Sequence, residues 1–322
     1  MITALLFSLG LAQATTPEPI LEVPAASAGE ETPAAPAETP PEPDPLLGKV
    51  YDPTREWQVG PDSKYWELEV LYAQAKHLQG AELAEKLYAE TKDPHLAVFI
   101  GRSWYQHLEG NEQITDKKER MQVYERALGF IEEGLEKNPD DAHLKFVYGV
   151  LMGRAGTTRG VLASLRYADD IENAWLDVLD SDFKYGSITL EEEIPCDTYL
   201  ALGIFYRLVP DYWIVKALSG TRGDLDKSLE MQEKGVQCSG DRVRNLKELA
   251  VTQMCIGVSR KQPELVEAGR KSINRYLALE PHSQTEIVDM KHGILLLKDP
   301  SMACGYSRDG QQDLDKDKIP VE

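Results

Sequence analysis

Tyr124-Glu-Arg-Ala127-Leu-Gly-Phe-Ile131-Glu-Glu-Gly134-Leu-Glu-Lys-Asn-Pro139-Asp-Asp141-Ala142-His-Leu144 is the stretch whose reading decides the fold. Met121, Tyr124, Leu128, Ile131 and Leu135 recur in alternating steps of three and four, which puts them on one face of a helix. Asn138-Pro139-Asp140-Asp141 then stops that helix and caps the next. Proline cannot continue a helix, and an aspartate just before a new one offers an oxygen to its unpaired amides. The helical period resumes at once through Leu144, Val147, Tyr148 and Leu151. Two helices with one apolar face each, joined by a short turn, must bury those faces against one another and against further neighbours.

Working outward, the same pattern covers most of the chain. Leu68, Leu71, Tyr72 and Ala75 form one stripe, and Ala168, Ile171, Trp175 and Val178 another. Val266, Gly269, Ile273 and Tyr276 follow, then Ile287, Met290, Ile294 and Leu297. Glu280-Pro281-His282-Ser283 has the same stop-and-cap chemistry as Asn138 to Asp141, Gly223-Asp224 opens a helix, and Gly240-Asp241 follows one. No sustained strand-like alternation competes, so the expected class is all-α: an irregular array of helical hairpins, an α-α superhelix, over 49–299.

The hairpins resemble tetratricopeptide repeats. Ala127 and Gly134 stand at the small positions of a second helix and Pro139 at its terminal proline, with Gly149 the small residue of the following first helix. Ile100-Gly101-x-x-Trp104 and Leu202-Gly203-x-x-Tyr206 repeat one idea, in which glycine lets helices approach and the aromatic fills the gap beside it. Helix-ending signals at Pro94, Pro139, Gly240 and Pro281 depart from the uniform period of about 34 residues. Stretches near 107–118, 154–196 and 207–222 read as insertions.

A narrower resemblance runs from about 181 to 281. Tyr199-Leu-Ala-Leu-Gly203-Ile-Phe-Tyr206-Arg-Leu-Val-Pro210 precedes Gly220-Thr-Arg-Gly-Asp224, Ser228-Leu-Glu-Met-Gln-Glu-Lys-Gly235 and Gln262-Pro-Glu-Leu-Val-Glu-Ala. This order is similar to the T-component family of TRAP transporters. The resemblance implies an all-helical protein that oligomerises and has a pore-like cavity for apolar ligands, working beside a substrate-binding protein. The chain departs from the family in lacking a lipoprotein cysteine after its apolar leader and in carrying a long proline-rich spacer.

That leader is Ile2 to Leu11, followed by Ala12-Gln13-Ala14, a small-x-small cleavage pattern. It marks 1–14 as a signal peptide, although no Lys or Arg precedes the apolar run. Residues 15–48 hold 9 of the chain's 19 prolines and seven acidic residues with no Lys or Arg. Such a Pro/Ala/Glu-rich segment buries too little apolar surface to offset the entropy of ordering it, and reads as a disordered linker. Export of this kind places the protein in the periplasm of a Gram-negative bacterium. The remainder, 300–322, reads as an acidic C-terminal tail. Its spaced aspartates Asp309, Asp313, Asp315 and Asp317 hint at a calcium loop, but Lys318 stands where such loops need glycine.

The 322 residues carry 35 Lys+Arg against 54 Asp+Glu, a net charge of −19. Nucleic-acid binders need a basic footprint, so nucleic acid is excluded as a partner. No apolar run reaches the roughly 20 residues that span a bilayer, so an integral membrane protein is not expected.

The search for chemistry gives little. Six histidines are scattered without an HExxH arrangement. His282, Glu286, Asp289 and His292 have near-helical spacing that a metal could use, but they read better as a solvated helix face. Gly153-Arg-Ala-Gly-Thr-Thr-Arg-Gly160 lacks the Gly-Lys-Ser/Thr ending of a phosphate loop and reads as a flexible connection. No nucleophile elbow occurs. The protein is therefore read as non-enzymatic, with no cofactor and no metal. In an oxidising compartment Cys196, Cys238, Cys255 and Cys304 can pair in three ways. Cys196 opens one helix and Cys238 closes its mate, so Cys196–Cys238 is preferred, which leaves Cys255 with Cys304; four buried thiols is the alternative.

Trp104, Tyr105, Tyr206, Tyr212 and Trp213 are the candidate binding residues, on or just after first helices that line the concave face in repeat arrays. The expectation is a periplasmic binding or scaffold protein that docks a cell-envelope partner in its groove. The alternative is a T-component-like carrier of an apolar small ligand. An apolar tunnel would favour the carrier and an open polar groove the scaffold. Assembly of identical copies stays open.

Overall fold

The computed structural model describes residues 59–319, apart from 190 and 282. The signal-peptide and linker readings of 1–14 and 15–48, and His282, lie outside the described residues. From Trp66 the chain is a succession of α-helices: α1 (Trp66–Ala73), α2 (His77–Thr91), α3 (Leu96–Glu109), α4 (Lys117–Lys137), α5 (Ala142–Arg159) and α6 (Ala168–Asp180). They continue as α7 (Cys196–Leu208), α8 (Trp213–Ser219), α9 (Leu225–Ser239), α10 (Val243–Ser259), α11 (Pro263–Leu277) and α12 (Gln284–Lys298). A 3-10 turn at Leu162–Tyr167 links α5 to α6. Extended structure among the described residues is confined to two short antiparallel pairings. One is β1 (Tyr185–Gly186) with β2 (Glu193–Ile194), the other β3 (Tyr306–Ser307) with β4 (Gly310–Gln311). The protein is an all-α helical array. None of the described helices is long and apolar enough to cross a membrane.

The α4–α5 hairpin forms for the reasons visible in its sequence. Asp141 accepts from the amides of His143 and Leu144 at 2.9 and 3.0 Å, satisfying two donors at the start of α5. Asp116 and Asp224 cap α4 and α9 in the same way. Tyr124, Leu128 and Ile131 are buried against the neighbouring helices, as are Leu144, Val147 and Leu151. α2 packs on α3, α4 on α5, α9 on α7 and α11 on α10.

Glycine does permit close helix approach. A side-chain carbon at Gly101 of α3 would lie 2.6 Å from Val147 of α5, and one at Gly149 would run into the Trp175 indole. The gap-filling partner differs from the expected aromatic, however. Val147 fills the space at Gly101 and Gln232 of α9 that at Gly203, whereas Trp104 and Tyr206 lie elsewhere in the core.

Three local readings are corrected. Residues 153–159, expected to be a flexible loop, are the last turns of α5; Gly156 lies against Ser164 of the 3-10 turn and Gly153 against Trp175. On α12 the buried face carries Thr285, Val288, Asp289 and Leu296, and Ile294 is 46% exposed. Met290 and Leu297 of the expected stripe still pack on the core, but Asp289 shares the buried face, held there by Lys247 and Arg308. The expected solvated face therefore does not describe Asp289, which is 0% exposed.

Two disulfides pin the second half. Cys196–Cys238 joins the start of α7 to the end of α9, and Cys255–Cys304 joins α10 to the segment after α12. That segment, read above as an acidic tail, packs back on the array, with Ala303, Tyr306 and Ile319 buried. Gln312 reaches α5 and its exit, donating to the Thr157 carbonyl at 3.1 Å and accepting from the Val161 amide at 3.2 Å.

Candidate ligand cavity

A cavity of about 200 Å³ lies where α3, α5, α6, α7 and α10 meet the β3–β4 hairpin. It exceeds the roughly 150 Å³ of an engineered apolar cavity that takes up benzene. One wall is apolar: Phe146, Val147 and Val150 come from α5, Ile171 and Trp175 from α6, and Leu200, Ile204 and Phe205 from α7. These side chains come from the inward faces of α5, α6 and α7.

Much of the remaining lining is charged. Arg102, Arg154, Arg207, Arg244 and Arg308 form it, with Glu191, Glu192, Asp197 and Glu248. Arg102 binds Glu69 at 2.7 Å and Glu192 at 3.5 Å, and also donates to the Tyr185 hydroxyl. Glu192 in turn meets His143 Nε2 at 2.8 Å. Arg154 and Arg120 both hold Glu109 and Asp309. Arg308 grips Asp289 at 2.7 Å and Glu109 at 3.3 Å, and donates to the Tyr105 hydroxyl at 3.1 Å. Lys247 pairs with Asp289 and Glu248 at 2.7 Å each, and Arg207 with Glu248 at 3.2 Å. Arg207 also donates to the carbonyls of Ala303, Cys304 and Tyr306. Arg244 binds Asp197 at 2.6 Å and donates to the Glu191 carbonyl.

Glu191 apart, each buried charge in this wall has an opposite partner, as burial demands. Burial works to raise the Glu109 pKa, but Arg154, Arg308 and Arg120 outweigh it and hold the carboxyl down at about 2. Burial would likewise raise Glu192, yet His143 and Arg102 take it below its ordinary value. At Asp197 burial wins over Arg244 and the pKa is raised. Glu191 differs most. Burial lifts it to about 7 against the opposing pull of its Ser283 hydrogen bond and the Arg244 charge, while Glu286 adds to the rise. Among the described residues its carboxyl makes no ion pair.

The five sequence-derived binding residues do not share a surface. Tyr105 lines the cavity. Trp104 is buried in the core, its indole donating to Glu85 at 2.8 Å, and the Tyr206 hydroxyl donates to Glu172 at 2.6 Å from a buried ring. Tyr212 and Trp213, at the start of α8, are exposed, Trp213 by 76%. Cys196 and Cys238 form the expected disulfide. The groups considered for metals are otherwise engaged: Asp289 as above, His292 with the Tyr306 hydroxyl at 2.8 Å, and Asp309 with two arginines. No cluster of three or more metal-ligating side chains occurs among the described residues.

Sequence reasoning missed the charged wall. Its signal is present: Arg102 interrupts Leu96-Ala-Val-Phe-Ile-Gly101 and Arg207 interrupts Ile204-Phe-Tyr-Arg-Leu-Val209, both on faces that the period buries. A charge inside an apolar run is rarely buried unless paired, so these two arginines foretell carboxylates from elsewhere in the fold.

The fold and cavity define a class, an all-α hairpin array with a pocket lined by apolar side chains and by ion-paired charged ones. No family model matches the chain, and no curated protein matches it.

Proposed function

We propose that the protein is a non-catalytic carrier that holds a small, largely apolar ligand inside the helical array. The carrying observation is the cavity, lined largely by aliphatic and aromatic side chains of α5, α6 and α7. Apolar concave sites with a few placed polar groups are what small ligands use. The reading agrees with the resemblance of 181–281 to TRAP T-components, for which an apolar ligand is the expected cargo, and with an exported protein working beside an envelope partner.

Native mass spectrometry of the protein purified from its own cell envelope tests this. The expected result is a co-purifying apolar molecule released on denaturation, or uptake of benzene-sized apolar probes by the emptied protein. Ala201→Phe, which fills the cavity from α7, should abolish that uptake. A protein that binds no apolar probe overturns the proposal.

One observation favours the scaffold reading as a second function. Trp213 and Leu218 on α8 and Tyr212 at its start are exposed, at 76%, 45% and 36%, and an exposed aromatic is a common anchor for a protein partner. Trp213→Ala should release a partner captured by the wild type while changing stability by less than about 0.5 kcal/mol. Unchanged capture refutes the scaffold reading.

A further inference from the structure

On the carrier reading above, which this inference presupposes, the charges around the cavity select the polar end of the ligand. Their ion pairs fall into separate networks. The largest joins Arg120, Arg154, Arg207, Lys247 and Arg308 to Glu109, Glu248, Asp289 and Asp309. Among the described residues it therefore holds five cations and four carboxylates, none with a side chain more than 15% exposed. Burial holds Tyr124 and Tyr306 above and His292 below their ordinary values, so these neighbours add no charge near neutral pH. A buried cation without a matching anion is costly, and the shortfall shows at Arg207. It shares Glu248 with Lys247, and burial outweighs the pull of Glu248 and lowers its pKa.

Unused hydrogen-bond donors accompany the surplus. The Nε–H groups of Arg102, Arg154, Arg207 and Arg244 are buried without a partner, and all four side chains line the cavity. Among the described lining residues no buried side-chain acceptor is left unpartnered. A ligand that closes this deficit brings acceptors. At Arg154 and Arg207, which belong to the network with the extra cation, the acceptor can also carry a negative charge. The other end of the lining has the opposite balance. Arg102 meets two carboxylates, Glu69 and Glu192, while Arg244 meets Asp197 and donates to the carbonyl of Glu191, the lining acid without an ion pair. Asp197 and Arg207 stand ten residues apart on α7, about 15 Å along its axis. Leu200, Ala201, Ile204 and Phe205 line the cavity between them.

We infer that the cavity binds an amphiphilic monoanion, an aliphatic or aryl-alkyl carboxylate, with its carboxylate accepting from Arg154 and Arg207 beside Arg308 and its apolar body along Trp175, Leu200, Ile204 and Phe205. The bound carboxylate brings the network to five cations and five anions. A neutral carbonyl meets the donors but leaves the surplus charge unmatched. An amine has no acceptor for the basic end, and the one unpaired acid it could meet, Glu191, belongs to the other end.

The test is a matched series on one phenyl body, measured near neutral pH by calorimetry or native mass spectrometry on the full-length protein: butylbenzene, benzylacetone, phenylbutyrate and phenylbutylamine. Phenylbutyrate should bind at least about tenfold tighter than each of the other three. Arg154→Gln, which leaves four cations against four carboxylates, should remove the margin over butylbenzene, whereas Glu191→Gln should keep it. If Arg154→Gln no longer takes up butylbenzene, its cavity is lost, and Arg207→Gln, which makes the same change of charge, decides by the same comparison. Butylbenzene or benzylacetone binding as tightly as phenylbutyrate overturns the inference and leaves the carrier reading standing. So does equal or tighter binding of phenylbutylamine, or a margin that survives the arginine substitution. Failure of all four to bind overturns the carrier reading itself.

Discussion

Replacing Glu109 by Gln should destabilise the protein by about 3 kcal/mol at neutral pH, and the loss should fade in acid. The side chain is 0% exposed, with Arg120 at 2.5 Å, Arg154 at 2.9 Å, Arg308 at 3.3 Å and the Tyr124 hydroxyl at 2.8 Å. Each pKa unit corresponds to about 1.4 kcal/mol, so holding the carboxyl at about 2 instead of 4.5 is worth about 3 kcal/mol. The amide keeps the shape and an acceptor oxygen but removes the charge, leaving three guanidiniums sharing fewer anions. Urea unfolding of both proteins across pH measures the difference, and in thermal scans the neutral-pH gap should be about 6–12 °C for a domain of this size. A carboxyl whose folded pKa is depressed contributes fully above its unfolded pKa and loses that contribution as pH falls toward the folded one. The gap between wild type and Glu109→Gln should therefore be complete above about pH 5 and shrink progressively toward about pH 2. A gap below about 1 kcal/mol at neutral pH, or one that stays constant in acid, refutes the view that this carboxylate is the electrostatic centre of the wall.

Other outcomes follow from the same structure. Removing the Cys255–Cys304 link by changing both to alanine opens a separation of 49 residues. Chain entropy puts the cost at about 4 kcal/mol, and limited proteolysis should then cut first within 300–312. Gly149→Ala drives a methyl into Trp175; overpacking of this kind costs about 1–3 kcal/mol, and tryptophan fluorescence should report a displaced indole. An alanine variant as stable as the wild type would show that α5 and α6 are less closely apposed than described.

Helix positions were written locally, in periodicity and caps, which is why α4 and α5 could be drawn from residues 121–152 alone. Those signals act within a few residues of chain, through backbone hydrogen bonds and a side-chain oxygen at each helix start. The same local logic paired Cys196 with Cys238, since both sit at ends of helices that had to lie side by side. It failed where a distant partner outweighed a local preference. Asp289, expected on a solvated face, is buried because Lys247 and Arg308, 42 residues before it and 19 after, hold it inside. Trp104 and Tyr206 look like a binding face in sequence, but neighbouring helices cover them. Residues 300–312 look solvated until Arg207, Gln312 and a disulfide attach them to the array. The all-α class and the hairpins were thus determined by the sequence itself, which also favoured Cys196–Cys238 among three possible pairings. The cavity was decided by tertiary structure alone, because its walls join α3, α5, α6, α7, α10 and the terminal hairpin, and its charges pair only across contacts between residues up to about 200 positions apart.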